Sequence, residues 1–221
     1  MSQQQPSIVL YSYWRSSCSW RVRIALALKE MDYEYVAVNL LESKQSSEDY
    51  AQRNPSKLVP TLEIDGHTLN QSIAIMEYLE DTRGDQGVHL LPTNSDPYKR
   101  QLVRQICQMI ASDIQPIQNL RVLKKIKEDF NTDEAAKSNW AKYWIENGFV
   151  ALEKVLEKHS GKFCVGDQVS MADICLVPQV YNAKRFNVDM SKFPNIVRIE
   201  QTCSELEAFK KAHPDQQVDK V

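Results

Sequence analysis

The segment Ile8–Leu40, IVLYSYWRSSCSWRVRIALALKEMDYEYVAVNL, decides how the first third of this 221-residue chain is read. Its opening, IVLYS (Ile8 to Ser12), is a short apolar run suited to a buried strand. Ser16 or Ser17 can then cap a helix whose apolar residues Trp20, Ile24, Ala25 and Leu28 recur at helical spacing. YEYVAVNL (Tyr33 to Leu40) alternates, with Val36, Val38 and Leu40 on one face, and predicts a second strand. Strand, helix, strand with short connections is a βαβ unit, whose two strands run parallel.

Working outward, a short helix is expected around SSEDYAQ (Ser46 to Gln52), followed by a hairpin over VPTLEIDGHTLN (Val59 to Asn70). Asp65-Gly66 suits a two-residue type I′ turn, and that register sets Leu62 opposite Leu69. Pro60 opens the first hairpin strand, which marks an edge or a special backbone geometry. QSIAIMEYLED (Gln71 to Asp81) reads as a helix with Ile75, Met76 and Leu79 on one side. The order βαβαββα is that of an α/β thioredoxin-like domain. TRGDQGVHLLPTNSDP (Thr82 to Pro97) is rich in Gly, Pro and small polar residues and reads as a linker.

Beyond the linker only helical periods occur, over residues 98–129, 132–159, 170–185 and 194–212. Pro116 and Pro178 fall inside them and are expected to bend their helices. SMAD (Ser170 to Asp173) resembles a capping box, and HPDQQVDKV (His213 to Val221) reads as a tail. Two domains are therefore expected: residues 6–87, thioredoxin-like, and residues 92–221, all-α.

Composition narrows the function. A net charge of −2 gives no global field for nucleic acid or an anionic membrane. No apolar stretch approaches the ~20 residues that span a bilayer. The start, MSQQQPSIVLYSY, has neither the pattern of a secretory signal nor the Arg-rich look of a transit peptide. The five cysteines stand singly and the four histidines lack metal-ligand spacing to them, which points to reduced thiols, a cytoplasmic setting and no metal.

The RSSC run (Arg15 to Cys18) is the first candidate for chemistry. A thiol near neutral pH is only a few per cent ionised, yet the thiolate is the nucleophile. A hydroxyl at a helix N-terminus can donate to sulfur while exposed N–H groups and the helix dipole favour negative charge. Lowering a thiol pKa by ~2 units takes ~2.7 kcal/mol of preferential anion stabilisation, within reach of one charge-assisted bond plus that dipole. The residues alone leave the choice open: Ser16 and Ser17 also serve as simple caps, and Cys18 as a small buried residue.

SSCSWRVRIAL (Ser16 to Leu26) resembles the signature of zeta-class glutathione transferases, the class of glutathione-dependent maleylacetoacetate isomerases. NPSKLVPTL, NQSIAIMEYL, IQPIQNL and SMADICLVPQVYNAKRF are similar to further blocks of that class, in the same order along nearly the whole chain. The resemblance implies the cytosolic glutathione transferase fold, glutathione as cofactor, a homodimer, and a cytoplasmic location compatible with a mitochondrial fraction. It implies a reaction in tyrosine and phenylalanine breakdown: glutathione sulfur adds to the cis double bond of maleylacetoacetate, the bond rotates, and elimination leaves fumarylacetoacetate. Transfer onto α-halo acids is the implied side activity, and maleylpyruvate a further substrate.

Carried over residue by residue, the resemblance assigns activation of the sulfur to Ser16, with Ser17 and Cys18 supporting it and Ser19, Trp20 and Arg21 among the glutathione contacts. It implies a cis Val59-Pro60 peptide that presents the Val59 backbone to the cysteinyl amide. Gln71 and Ser72 match the γ-glutamyl end and Gln45 the glycyl end. In the helical half it points to Gln115 and Asn119 for glutathione and to Arg185 for a substrate carboxylate, which a guanidinium binds bidentately. Arg121 stands where a small or apolar residue is usual, so the assignment stops before it, and Tyr181 is bulkier than the usual residue and bears on substrate range.

Two other readings keep their place. Cys18 alone can support thiol-transferase or dehydroascorbate-reductase chemistry, although the position of a resolving cysteine holds Arg21. A non-catalytic binding module is the third.

Overall fold

The computed structural model describes residues 8–220. They form two compact units, one running to Leu90 and taking in the residues from Glu207 onward, the other spanning Leu91–Leu206.

In the first unit, β1 (Val9–Ser12), α1 (Ser17–Leu28) and β2 (Glu34–Ala37) form the expected βαβ unit, and α2 (Glu48–Arg53) follows. Then come β3 (Thr61–Ile64), β4 (His67–Asn70) and α3 (Ser72–Thr82). The sheet order is β2-β1-β3-β4, with β1 parallel to β2 and antiparallel to β3. Leu62 pairs with Leu69, and both Asp65 (φ 54°) and Gly66 (φ 77°) take the positive φ that a type I′ turn requires. Leu10, Ile24, Leu26, Leu62, Ile75, Met76 and Leu79 are fully buried, each contributing ~1.5–3 kcal/mol by leaving water. Helix α1 is buried almost all round, including Arg21, Arg23 and the adjoining Lys29, so no polar face is left to give it an amphipathic stripe.

The chain from 194 to 212 is two helices, not one: α8 (Pro194–Ser204) closes the second unit and α9 (Glu207–Ala212) packs on α1. The stretch read as a tail is anchored too, since the Asp219 carboxylate accepts from Trp14 N and Tyr35 Oη. The grouping therefore differs from the spans 6–87 and 92–221: a buried Phe209, hydrogen bonds and the α1 contact draw the C-terminal residues to the first unit. The expected first-domain start, residue 6, lies outside the described residues.

The second unit holds α4 (Pro97–Gln108), α5 (Leu120–Phe130), α6 (Glu134–His159), α7 (Met171–Arg185) and α8. The expected long period over 98–129 is broken. After α4 the chain widens into a π-turn over Met109–Ile114, and Pro116, which has no N–H to continue a ladder, starts a 3-10 turn. Pro178 lies inside α7. The SMAD capping box is present: fully buried Asp173 accepts from Ser170 N, Ser170 Oγ and, 2.8 Å away, Cys164 N. Burial pushes its carboxyl above the ordinary range, against those bonds.

Lys29, fully buried at the end of α1, donates from Nζ to Glu80 Oε2 (2.8 Å) and to the Arg83 carbonyl (3.0 Å), while Glu80 also accepts from Leu90 N. Burial pushes the Glu80 carboxyl up, but the bonds from Lys29 and Leu90 outweigh it and hold the group below its usual range. Glu80→Ala leaves a buried ammonium without its counter-charge and is expected to cost about 3–5 kcal/mol in urea unfolding at neutral pH. Because the folded carboxyl is the more acidic, its contribution is full above the unfolded pKa of about 4.3 and is lost as pH falls through the lower folded value. The gap between wild type and variant should therefore close in acid.

Candidate active site

The register of the sheet gathers three chain segments at one end. Tyr11, near the end of β1, pairs with Thr61 at the start of β3, and Thr61 pairs with Asn70 at the end of β4. The turn carrying Ser16, the Val59-Pro60 peptide and the start of α3 all issue from that end. The Val59-Pro60 bond is cis, as expected.

Of the two candidate caps, Ser16 is the N-cap (φ −71°, ψ 116°) and Ser17 the first helical residue. Ser16 Oγ accepts from Ser19 N at 3.2 Å, which uses a lone pair and leaves the hydroxyl proton for another acceptor. No acidic residue occupies the first turn of α1, so the positive end of the helix dipole is uncompensated there. Cys18 sits in the same turn, partly exposed, whereas the other four cysteines are buried. Ser17, Ser19, Trp20 and Arg21 are buried.

Gln71, not Ser72, is at the N-cap of α3, with φ 71° and no capping bond from its side chain. The Ser72 hydroxyl is engaged elsewhere, accepting from Arg21 Nη1 at 3.2 Å. Arg21 is 1% exposed, and its Nε and Nη2 have no hydrogen-bond partner. A buried guanidinium with two nitrogens unpaired and no carboxylate beside it is costly unless an anion completes it. Gln45, in a 3-10 turn over Lys44–Ser46, likewise has a buried Oε1 without a partner. Glutathione, with two carboxylates, backbone-like amides and a thiol, has the groups that such donors and acceptors lack.

A polar cluster that sequence reasoning missed supports the Pro60 segment. Tyr50 Oη donates to the Leu58 carbonyl (2.7 Å) and bonds Thr61 Oγ1 (2.9 Å), and Asn54 Nδ2 donates to the same carbonyl (2.7 Å). Arg23 and Asp219 were missed as well. Arg23 lay within the signature with no role attached, and nothing in the sequence tied Asp219 to residues so far away.

In the second unit, buried Gln115 follows the π-turn, with its N–H on the Ile110 carbonyl. Asn119 caps α5, its side chain accepting from Arg121 N at 3.1 Å. Arg185 is exposed at the last turn of α7, its guanidinium 4.9 Å from the centre of the Phe186 ring.

Known proteins share both the sequence and the fold. Residues 6–81 match the glutathione S-transferase N-terminal domain and residues 120–212 the C-terminal domain of the same family. The chain is 56% identical to maleylacetoacetate isomerase of Dictyostelium discoideum over 96% of its own length and 95% of that protein's. It is 54% identical to the Rattus norvegicus maleylacetoacetate isomerase, over 96% and 94%. Among solved structures, a bacterial zeta-class maleyl pyruvate isomerase superposes with a TM-score of 0.91 at 40% identity, covering 96% of this chain and all (100%) of that one. Maleylacetoacetate isomerase from Anaeromyxobacter dehalogenans, with GSH bound in its active site, gives 0.87 at 41% identity, covering 99% of this chain and 100% of that one. The chain belongs to the glutathione S-transferase family, and within it to the zeta-class maleylacetoacetate isomerases.

The two serines differ in what they hold, and stability measurements separate them. Ser16→Ala removes the acceptor of the Ser19 amide and is expected to cost ~1 kcal/mol in chemical denaturation. Ser17→Ala, one position inside the helix and outside the capping bond, is expected to change stability by less than ~0.5 kcal/mol.

Proposed function

We propose that this chain binds glutathione in its first unit and uses it to isomerise maleylacetoacetate to fumarylacetoacetate, a step of tyrosine and phenylalanine breakdown. The observation that carries this reading is the Ser16 hydroxyl, fixed at the head of α1 with its oxygen already accepting and its proton free. Bound glutathione supplies a thiol that adds reversibly across a cis double bond to permit rotation, and that displaces halide from α-halo acids. Ser16 donates to that sulfur as an anion, and the uncompensated N-terminus of α1 adds a favourable field. Arg21, with Ser72 and Gln71, receives the γ-glutamyl carboxylate, because its two unpaired nitrogens are the buried donors such a group satisfies. The Val59 backbone before the cis Pro60 meets the cysteinyl amide, and Gln45 the glycyl end. By resemblance to the family, Ser17 and Cys18 support the sulfur, and Ser19 and Trp20, both buried, are among the glutathione contacts. On the family resemblance, Gln115 and Asn119 serve glutathione and Arg185 a substrate carboxylate, whether of maleylacetoacetate or maleylpyruvate. The same resemblance supports a homodimer, and composition supports a cytoplasmic location; among the described residues no helix is long and apolar enough to cross a membrane.

A second reading, thiol transfer through Cys18, draws on its being the one cysteine not buried. The two part on mutation. Ser16→Ala is expected to lower kcat/KM for maleylacetoacetate by about 10²–10³, the usual effect of removing one donor to a developing anion, and to raise the pKa of the bound thiol. Cys18→Ala should retain most isomerase activity. Full turnover in Ser16→Ala, or its collapse in Cys18→Ala, reverses the assignment.

The Arg21 role has its own measurement. Replacing Arg21 by Met should weaken glutathione binding by about ten- to a hundredfold in calorimetry, the worth of a charge-assisted bond. An analogue with the γ-glutamyl α-carboxylate deleted should bind wild type and variant nearly equally. Equal losses for both ligands exclude recognition of that carboxylate by Arg21.

A further inference from the structure

β1 ends at Ser12 and α1 begins at Ser17, so the turn Tyr13–Ser16 decides where the Ser16 hydroxyl lies. Within the turn one bond closes it, from Ser16 N to the Tyr13 carbonyl at 2.9 Å. The other holds come from outside. Arg23, 1% exposed, reaches back from α1: Nη1 donates to Ser12 Oγ (3.1 Å) and the Tyr13 carbonyl (3.4 Å), and Nη2 to the Trp14 carbonyl (2.9 Å). Its Nε donates to the Ala212 carbonyl at the end of α9 (3.1 Å). From the C-terminal segment, Asp219 accepts Trp14 N on Oδ2 (3.0 Å) and Tyr35 Oη on Oδ1 (2.7 Å). Trp14 is thus held at both its N–H and its C=O, by a cation on one side and an anion on the other.

The chemistry of these groups makes the hold firm. Burial pulls the Arg23 guanidinium down to about 10, which still leaves it charged at neutral pH, and its bonds to the turn carbonyls are charge-assisted. Burial pushes the Tyr35 phenol up, so it stays a neutral donor to Asp219. The backbone of a turn between a strand and a helix is otherwise free to drift, and an error of about 1 Å in placing a catalytic group costs about 10²-fold.

We propose that Arg23 and Asp219 are positioning residues for Ser16, the C-terminal segment acting as a clasp on the turn that aims its hydroxyl. This rests on the reading that Ser16 serves glutathione sulfur. Neither residue is among those that would contact glutathione or substrate; each acts through the turn.

Arg23 is a core residue whose loss endangers folding, so the test uses Asp219, which is only half-buried. The full-length protein is compared as wild type, Asp219→Ala, Asp219→Asn, Ser16→Ala and the Ser16→Ala, Asp219→Ala double variant. The readouts are the ultraviolet absorbance of bound glutathione thiolate titrated with pH, the pH profile of kcat/KM, and Tm. Asp219→Ala should raise the pKa of the bound thiol by about one unit, which lowers the ionised fraction and kcat/KM about tenfold at mildly acid pH and restores both as pH rises. Asp219→Asn, whose amide oxygen still accepts from Trp14 N, should recover most of the loss. In the Ser16→Ala background the Asp219 change should add nothing to the thiol pKa, because the group it positions is gone.

A lowered Tm with an unchanged thiol titration and pH profile in Asp219→Ala overturns the proposal and makes the clasp purely structural. So does an Asp219→Ala shift that persists in full without the Ser16 hydroxyl. A wild-type thiol titration in Ser16→Ala removes the parent reading and this proposal together, whereas failure at Asp219 alone leaves the parent reading standing.

Discussion

The antiparallel pairing of Tyr11 with Thr61 and of Thr61 with Asn70 is the constraint from which the site follows. Side chains alternate along a strand, so a slip of one residue would turn Leu10, Leu62 and Leu69 to the wrong faces, and the buried core forbids it. With the register locked, the ends of three segments distant in sequence meet at one edge.

Helix α1 and its cap carry three buried cations, and their surroundings differ in a telling way. Lys29 has a carboxylate, Glu80, and gives the first unit a closed ion pair. Arg23 has no carboxylate at bonding distance but spends all three of its nitrogens on carbonyls and a hydroxyl. Arg21 has a single bond, to Ser72, and two donors left over. A protein interior tolerates the first two arrangements as structure. The third leaves two nitrogens without a partner, at the head of α3.

Much of this was legible in the sequence because the signals are local. The Asp65-Gly66 turn, the Leu62–Leu69 register, the Ser170 capping box and a cap at Ser16 or Ser17 each depend on residues within a few positions of one another. The cis form of Val59-Pro60 came instead from the family resemblance, as did the roles given to Gln71 and Gln115. What escaped is long-range. The positive φ of Gln71 is imposed by the path from β4 into α3, and a glutamine gives no hint of it. The break between α8 and α9 falls in a run of ordinary helix formers. The anchoring of Asp219 joins it to Trp14 and Tyr35, 205 and 184 positions away, and an acidic residue in so polar a stretch reads as solvated until its partners are seen.

The burial of Cys107, Cys164, Cys175 and Cys203 in the core has a practical corollary. Burial pushes the Cys164 and Cys203 thiols well up, so they stay protonated and shielded from reagents while the fold is intact. Alkylation of the thiols in the native protein is thereby confined to one sulfur, Cys18, in the first turn of α1. A thiol-selective maleimide is therefore expected to label the native protein with a stoichiometry of one.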